Sequence, residues 1–301
     1  MLSLFIGLLI GVTATVSRTI GAGRMADARA LATSSLVLVA AIAALVSGLT
    51  LVFLEPLLHL LGARDRVAEL AQRFLTIALP STVMLGVGMV CSALLRSVGD
   101  ARRAMLVTLL PAIVTAILDP LFIFGFKLGL DGAAIVVVIA RSVLVGVGLY
   151  GAWRVHHLLA PFDRSRLAAD ARLLSVVAGP AVLTNLATPV GAAFVTHSVA
   201  AFGASAVAGQ ATIERLTPVA FGLIYSLSGA VGPVFAQNLG AKRFDRVRES
   251  LRASLVFMVL AVAAAWLVMA LLQGPLIRAF SLDGVAAQMV PLLPADTELL
   301  G

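Results

Sequence analysis

One acidic residue, Asp119, lies inside an otherwise apolar run, PAIVTAILDPLFIFG, at residues 111–125. A charge at the centre of a membrane helix costs about 2.5–3.5 kcal/mol on insertion scales, so a residue in that position needs a partner or a function. A carboxylate in a low-dielectric environment binds a proton more readily than one in water. The run therefore predicts either a cation-coupling carboxylate or one half of a structural ion pair.

The candidate for that ion pair is Arg141, which lies in the next apolar run. At a rise of about 1.5 Å per residue, Asp119 and Arg141 lie at similar depths from the outer ends of their runs. Pairing would neutralise both charges and make Asp119 a poor proton carrier. The residues leave both interpretations open.

The composition indicates that these runs lie in a lipid bilayer. Hydrophobic residues make up 60% and charged residues 12% of the 301 residues, against about 45–50% and about 25% in soluble domains. The apolar runs are long, and short polar turns separate them, which predicts an all-α membrane protein, a polytopic helical bundle. The predicted spans are 2–17, 32–54, 74–95, 105–126, 133–152, 173–199, 212–236 and 251–272.

The net charge of +7 is distributed in a way that predicts orientation and no nucleic-acid partner. Alternate connections are net positive, by +2 or +3, and the connections between them sum to zero. Since positive connections mark the cytoplasmic side, the first span is predicted to run inward, in a multi-pass protein of a bacterial cytoplasmic (inner) membrane. The positive connections are 18–31, 96–104, 153–172 and 237–252.

Other chemistries lack their motifs. Cys91 is the only cysteine, which excludes internal disulfides and sites built on cysteine pairs. No P-loop motif and no metal-ligand spacing occurs in the sequence. We therefore predict no enzymatic activity and no cofactor.

The chain contains an internal repeat. IGAGRMADARALATSSLVLV at 20–39 aligns with LGAKRFDRVRESLRASLVFM at 239–258, so that Gly21 matches Gly240 and Arg24 matches Arg243. Six spans separate the two copies, which predicts a six-helix repeat. On that interpretation the chain is an internal piece of a twelve-helix protein, without the first helix of one bundle and the last helices of the other.

Four motifs in order, TVSRTIGAGRMADAR, LRSVGDARRAM, PAIVTAILDPLFIFG and GPVFAQNLGAKRFDRVR, resemble the multidrug and toxic compound extrusion (MATE) family over nearly the whole chain. The resemblance implies two helical bundles related by a pseudo-twofold axis, incomplete here at both ends. It assigns 1–158 to the N-terminal bundle, 159–172 to a basic cytoplasmic linker and 173–301 to the C-terminal bundle. It also implies export of drugs or other organic cations in exchange for H+, in preference to Na+, by alternating access.

The resemblance places the acid of the Asp-Pro motif, Asp119, in the cation-coupling site. Thr115 stands one turn earlier, where the family usually has Asn. Four further side chains are candidates to line the cleft: Met84, Asn185, Thr188 and Glu214. The alternative is core packing for Met84, helix–helix hydrogen bonding for Asn185 and Thr188, and a local pair with Arg215 for Glu214.

Two other functions stay open from the sequence. A flippase of related fold for lipid-linked precursors would need a cleft rich in arginine, and only Arg141 lies clearly within a span. A truncated, non-transporting membrane polypeptide is the third hypothesis. The substrate, the partner chains and the oligomeric state are not fixed by the sequence.

Overall fold

The computed structural model describes residues 2–60, 65–201, 210, 211, 214, 217, 218 and 221–279. Within these residues every regular element is a helix, as predicted. The helices are α1 Leu2–Gly21, α2 Met25–Val52, α3 Leu54–Leu60, α4 Asp65–Ala78, α5 Thr82–Ser97, α6 Ala101–Pro120, α7 Gly129–Leu149, α8 Arg164–Ala200, α9 Gly222–Gly240 and α10 Phe244–Ala279. Two π-helical segments, Leu121–Gly125 and Tyr150–Val155, continue α6 and α7.

The described part holds six helices that are long and apolar enough to cross a membrane, or seven if α4 and α5 form one bent span. The protein is therefore a multi-pass membrane protein. The axes of α4 and α5 differ by 49° at the break around Pro80, inside the span predicted over 74–95. The span predicted over 212–236 coincides with α9 from Gly222 onward, and several of its earlier residues lie outside the described part.

The chain divides into two compact units. The first comprises Met1–Asn185 with Ala236–Arg243, and the second comprises Leu186–Phe235 with Phe244–Gly301. The segment predicted as a linker over 159–172 is helical from Arg164, because α8 begins there. The division into bundles that the sequence suggested stays a prediction.

The core of the first unit is formed by α1, α2 and α5. Lipid tails are as apolar as these side chains, so close packing stabilises this core more than exclusion from water does. Helices α5 and α7 also pack closely, and glycine makes this possible: a Cβ at Gly148 of α7 would lie only 2.7 Å from the Cβ of Cys91 on α5. The completely buried side chains of this core include Phe5, Val16, Leu31, Val90 and Leu94.

The predicted repeat is confirmed by matching helix ends. Helices α1 and α9 end on the aligned glycines Gly21 and Gly240, and α2 and α10 begin on aligned residues as well. Each turn has one residue with positive φ, Gly23 at +76° and Lys242 at +57°. In each turn the next N–H, of Arg24 or Arg243, bonds the carbonyl five residues earlier, at 3.2 and 2.9 Å. This is the Schellman helix end in both copies.

Candidate functional site

Asp119 and Thr115 lie four residues apart on α6, so they share one face of the helix near its end. Both side chains are half-buried. The Thr115 hydroxyl donates to the carbonyl oxygen of Pro111 at 3.0 Å, one turn back in the same helix. Its lone pairs stay available to a further donor or a cation on that face.

Among the residues that the structure describes, no hydrogen bond or ion pair reaches the carboxylate of Asp119. Immediately after Asp119 and Pro120 the helix widens into the π-helical segment Leu121–Gly125. Such segments are frequent at functional sites, since they disturb the regular backbone hydrogen bonds. The carboxylate of Asp119 thus has no partner within the described part of the chain and lies beside an irregular stretch of backbone.

The ion pair of Asp119 with Arg141 is not formed between these two described residues. Arg141 instead donates through Nη1 to the carbonyl oxygen of Ala78 and to the hydroxyl of Ser81, both at 2.8 Å, and more weakly to Thr82 Oγ1 at 3.4 Å. These acceptors lie at the break between α4 and α5, where a helix end leaves carbonyl groups without intrahelical partners. Arg141 thus binds that helix break, and its charge does not neutralise Asp119.

The candidate cleft residues Asn185 and Thr188 lie on α8, and Met84 lies on α5. Met84, on α5, is 39% exposed, and the Ser142 hydroxyl contacts its sulfur at 3.6 Å. Asn185 is half-buried and donates to the carbonyl oxygen of Ala181 at 2.8 Å. Thr188 is exposed on α8, and the exposed Glu214 accepts from Gln210 at 3.3 Å. The role of these four side chains as cleft lining stays a prediction.

A second acid, Asp170, is buried near the start of α8, and sequence reasoning missed it. The residue is only 7% exposed, and its Oδ2 accepts a hydrogen bond from Ser34 Oγ of α2 at 2.5 Å. One turn earlier, Arg166 forms an ion pair with Asp27 at 2.9 Å. Asp170 stands in a charged segment of the sequence, which favours exposure to solvent. The one signal against exposure is its spacing of four residues from Arg166, which places both on one face of a helix.

A cavity of about 370 Å³ lies within the first unit between α1, α2 and α8. Its lining is almost wholly apolar and includes Leu8, Val12, Val39 and Leu174. Ser35 and Ala171, the sequence neighbours of the hydrogen-bonded pair Ser34 and Asp170, also line it. Cavities of this size and polarity suit lipophilic small molecules.

The MatE family model matches residues 1–121 and 180–293 of the chain. The FAD transporter of Shewanella oneidensis is 33% identical over 290 residues, which cover 93% of this chain and 64% of that protein. The "Probable multidrug resistance protein NorM" of Thermotoga maritima is 24% identical over 303 residues, 97% of this chain and 63% of that protein.

Among solved structures, a mutant of the Vibrio cholerae MATE transporter VcmN matches with a TM-score of 0.90 and 27% identity, over 95% of this chain and 66% of that one. The chain thus spans slightly less than two thirds of the length of these relatives. The family match covers most of the chain, and the helical fold agrees with it. The chain belongs to the MatE family, the family of the MATE transporters.

Proposed function

We propose that the protein is a secondary antiporter of the bacterial inner membrane that exports small organic cations in exchange for protons. One observation carries the proposal: Asp119 lies inside an apolar helix, and no cationic side chain in the described part of the chain neutralises its carboxylate. Asp119 takes up a proton from one side of the membrane and releases it to the other, and its change of charge drives alternating access.

The contrast with Asp170 supports this role. Asp170 is buried and accepts a short hydrogen bond from Ser34, which gives it a structural explanation. Asp119 has neither comparable burial nor a donor among the described residues, and the backbone just after it is π-helical. A fixed hydrogen-bond donor favours one protonation state, so an acid that must cycle between two states is better without one.

The apolar cavity supports a lipophilic substrate. Its volume of about 370 Å³ falls within the range of about 300–1,000 Å³ that is usual for sites of small ligands. An organic cation with delocalised charge and flat apolar surface has the size and polarity that this lining can accept.

The test is proton flux driven by substrate in proteoliposomes that contain the 301-residue chain. Ethidium is added on one side, and the internal pH is followed with a trapped dye. Asp119→Asn removes the titratable group while keeping the shape, so ethidium-driven proton flux falls to the level of empty liposomes. Asp131→Asn is the matched control: Asp131 pairs with Arg73 at 2.7 Å and is not assigned to coupling, so flux stays near that of the parent protein.

Undiminished flux in the Asp119→Asn protein contradicts the coupling role of Asp119. Ethidium transport driven by an imposed pH gradient, compared with transport driven by an imposed sodium gradient at equal pH, separates H+ from Na+ as the coupling ion. Absence of flux in the parent protein itself would favour the non-transporting hypothesis for this chain.

The second candidate function is export of a flavin dinucleotide, and the similarity to the FAD transporter favours it. Such a substrate is an anion, so its recognition needs cationic side chains along the path. Arg141, the arginine that the sequence placed within a span, already bonds three acceptors. Counterflow of labelled FAD against unlabelled FAD, compared with ethidium in the same vesicles, decides between the two substrate classes.

A further inference from the structure

Helix α1 lies directly against α8 along one side of the apolar cavity. A Cβ atom at Gly7 would overlap the backbone of Val182, and a Cβ atom at Gly11 would lie 2.5 Å from the Cβ of Ala178. Glycines at this spacing lie on one helix face and allow two membrane helices to approach closely. The walls of the cavity on this side are therefore set by backbone packing.

The cavity begins where the polar contacts between α2 and α8 end. Ser34 donates to Asp170 at 2.5 Å, and the next residue of each helix already lines the cavity. From there the lining continues along both helices, as far as Ile42 on α2 and Val182 on α8. Along α8, from Ala171 to Val182, the lining is about 16 Å long at a rise of about 1.5 Å per residue.

The depth of the cavity corresponds to the cytoplasmic leaflet of the bilayer. Helices α2 and α8 both begin at positive connections, which mark the cytoplasmic side. The apolar part of α8 starts at Leu173, immediately after Arg172, the last cation of its connection. The hydrocarbon core of a bilayer is about 30 Å thick, so one leaflet contributes about 15 Å. The cavity thus has the length and the position of the acyl chains of that leaflet.

One edge of α8 leaves the cavity open and carries a cation. Ser175 and Gly179 line the cavity and are exposed, and no atom lies within 4 Å of a Cβ atom added at Gly179. Arg172 lies on the same edge, one turn before Ser175. It is exposed, and no ion pair within the described part of the chain includes it. The opening therefore combines an apolar lining with a positive charge at the depth of the lipid headgroups.

We propose that the cavity binds one acyl chain of an anionic phospholipid from the cytoplasmic leaflet, and that the phosphate of this lipid pairs with Arg172. The chain gains dispersion contacts with the lining that an empty space lacks. The proposal does not rest on transport. A lipophilic substrate of the proposed antiporter enters this cavity only by displacing the acyl chain.

The two halves of this site select the occupant together. A neutral phospholipid would fill the cavity but leave Arg172 without a counter-charge. Inorganic phosphate would meet Arg172 but leave the apolar cavity empty, and an exposed ion pair alone contributes little. An amphiphile with a negative headgroup satisfies both parts.

Native mass spectrometry of the purified 301-residue chain in detergent tests the headgroup. Dioleoyl phosphatidylglycerol is titrated in parallel with dioleoyl phosphatidylcholine, which has the same acyl chains and no net charge. We expect phosphatidylglycerol to bind about fivefold more tightly, equivalent to about 1 kcal/mol for one arginine near the headgroups. Arg172→Gln makes the two affinities equal.

Arg102→Gln is the matched control for the headgroup. Arg102 is exposed, forms no ion pair among the described residues, and lies on α6, which does not line the cavity. The fivefold preference for phosphatidylglycerol therefore persists in this variant.

Gly179→Phe tests the acyl chain, because its ring occupies the opening of the cavity. We expect the affinity for both phospholipids to fall by about tenfold. Gly146→Phe on α7 is the control, since its added Cβ also meets no atom within 4 Å and α7 does not line the cavity. In the parent protein, phosphatidylglycerol with a diazirine at the end of one chain is photocrosslinked. The crosslinks are expected at the deep end of the cavity, near Leu8 and Ile42.

Equal affinities of the parent protein for the two phospholipids overturn the proposal, and so does an equal loss of preference in Arg102→Gln. Crosslinks confined to helices other than α1, α2 and α8 also overturn it. If Gly179→Phe does not fold, Arg172→Gln decides alone, because it changes an exposed side chain. The binding assay uses no ion gradient, so a failed Asp119→Asn flux test would refute proton coupling and leave the lipid site intact.

Discussion

Asp100, in the turn between α5 and α6, makes three contacts that predict a measurable loss on substitution. Oδ1 accepts the backbone N–H of Arg103 at 3.0 Å, which caps the start of α6. Oδ2 accepts from Nη1 of Arg103 at 2.6 Å and from Nε2 of His156 at 2.7 Å. The side chain is only 12% exposed. One carboxylate therefore ties the first turn of α6 to the end of the π-helical segment that follows α7.

The size of the loss follows from these contacts. Loss of a helix cap costs about 1 kcal/mol, and a partly exposed ion pair such as that with Arg103 adds about 0.2–1 kcal/mol. The hydrogen bond with His156 contributes about 0.5–1.5 kcal/mol. Asp100→Ala removes all three contacts and is expected to destabilise the protein by about 2–3 kcal/mol. Asp100→Asn keeps the cap and loses the charge, so it costs about 1 kcal/mol less.

Thermal unfolding in detergent, followed with a thiol-reactive dye, measures the relative stability of the parent protein and the two Asp100 variants. Cys91 is completely buried and is the only cysteine, so the dye reacts when the helices separate. The midpoint of the parent protein is expected to be the highest, that of Asp100→Asn intermediate and that of Asp100→Ala the lowest. Equal midpoints for the two variants would refute the capping argument, and a parent-like midpoint for Asp100→Ala would refute the whole estimate.

The same contacts predict a pH dependence. The backbone N–H of Arg103, then the side chains of Arg103 and His156, hold the pKa of Asp100 well below its usual range. A lowered pKa means that the stabilisation is fully present above the unfolded pKa of about 3.9 and is lost as the pH falls through the folded pKa. The difference in midpoint between the parent and Asp100→Ala is therefore constant between about pH 5 and about pH 7, and it shrinks below about pH 4. A midpoint difference between the parent and Asp100→Ala that increases below about pH 4 would contradict a lowered pKa of Asp100.

Three further substitutions give expected outcomes in the same unfolding assay. Ser34→Ala leaves the buried carboxylate of Asp170 without its donor and costs about 1–3 kcal/mol, and the double variant with Asp170→Ala recovers part of that loss, which a double-mutant cycle detects. Arg141→Met removes the donor from the break between α4 and α5 and lowers the midpoint by the equivalent of about 1–3 kcal/mol; an unchanged midpoint would show that the break does not need it. Gly7→Ala places a Cβ against the α8 backbone and costs about 1–3 kcal/mol, whereas Gly146→Ala, with open space around its Cβ, changes stability by less than about 0.5 kcal/mol.

The sequence predicted those features that depend on neighbouring residues. The helical class, the turn after α1 and the turn after α9 follow from apolar runs that glycine and basic residues interrupt. The internal repeat was predictable because glycine followed by a basic residue occurs at both helix ends, after α1 and after α9. The break between α4 and α5 lies around Pro80, and proline interrupts helices because it lacks a backbone N–H.

Contacts between distant segments were not predictable in the same way. The donor to Asp170 is Ser34, 136 residues away in the chain, and a charged segment gives no sign of that partner. Arg141 was matched to Asp119 by depth alone, but depth does not say which side of a helix a residue faces. Its acceptors became available because α4 ends at Ala78, and only the fold reveals that helix end.

The two acids near apolar helices show why a functional carboxylate is hard to recognise from composition. Burial of a charge costs several kcal/mol unless hydrogen bonds or a counter-charge offset it. At Asp170 the Ser34 hydroxyl and the nearby Arg166 provide that offset, so the acid is explained by the stability of the fold. At Asp119 no such group is found among the described residues, so the stability of the fold does not explain this acid in the same way. We therefore propose Asp119, and not Asp170, as the coupling acid.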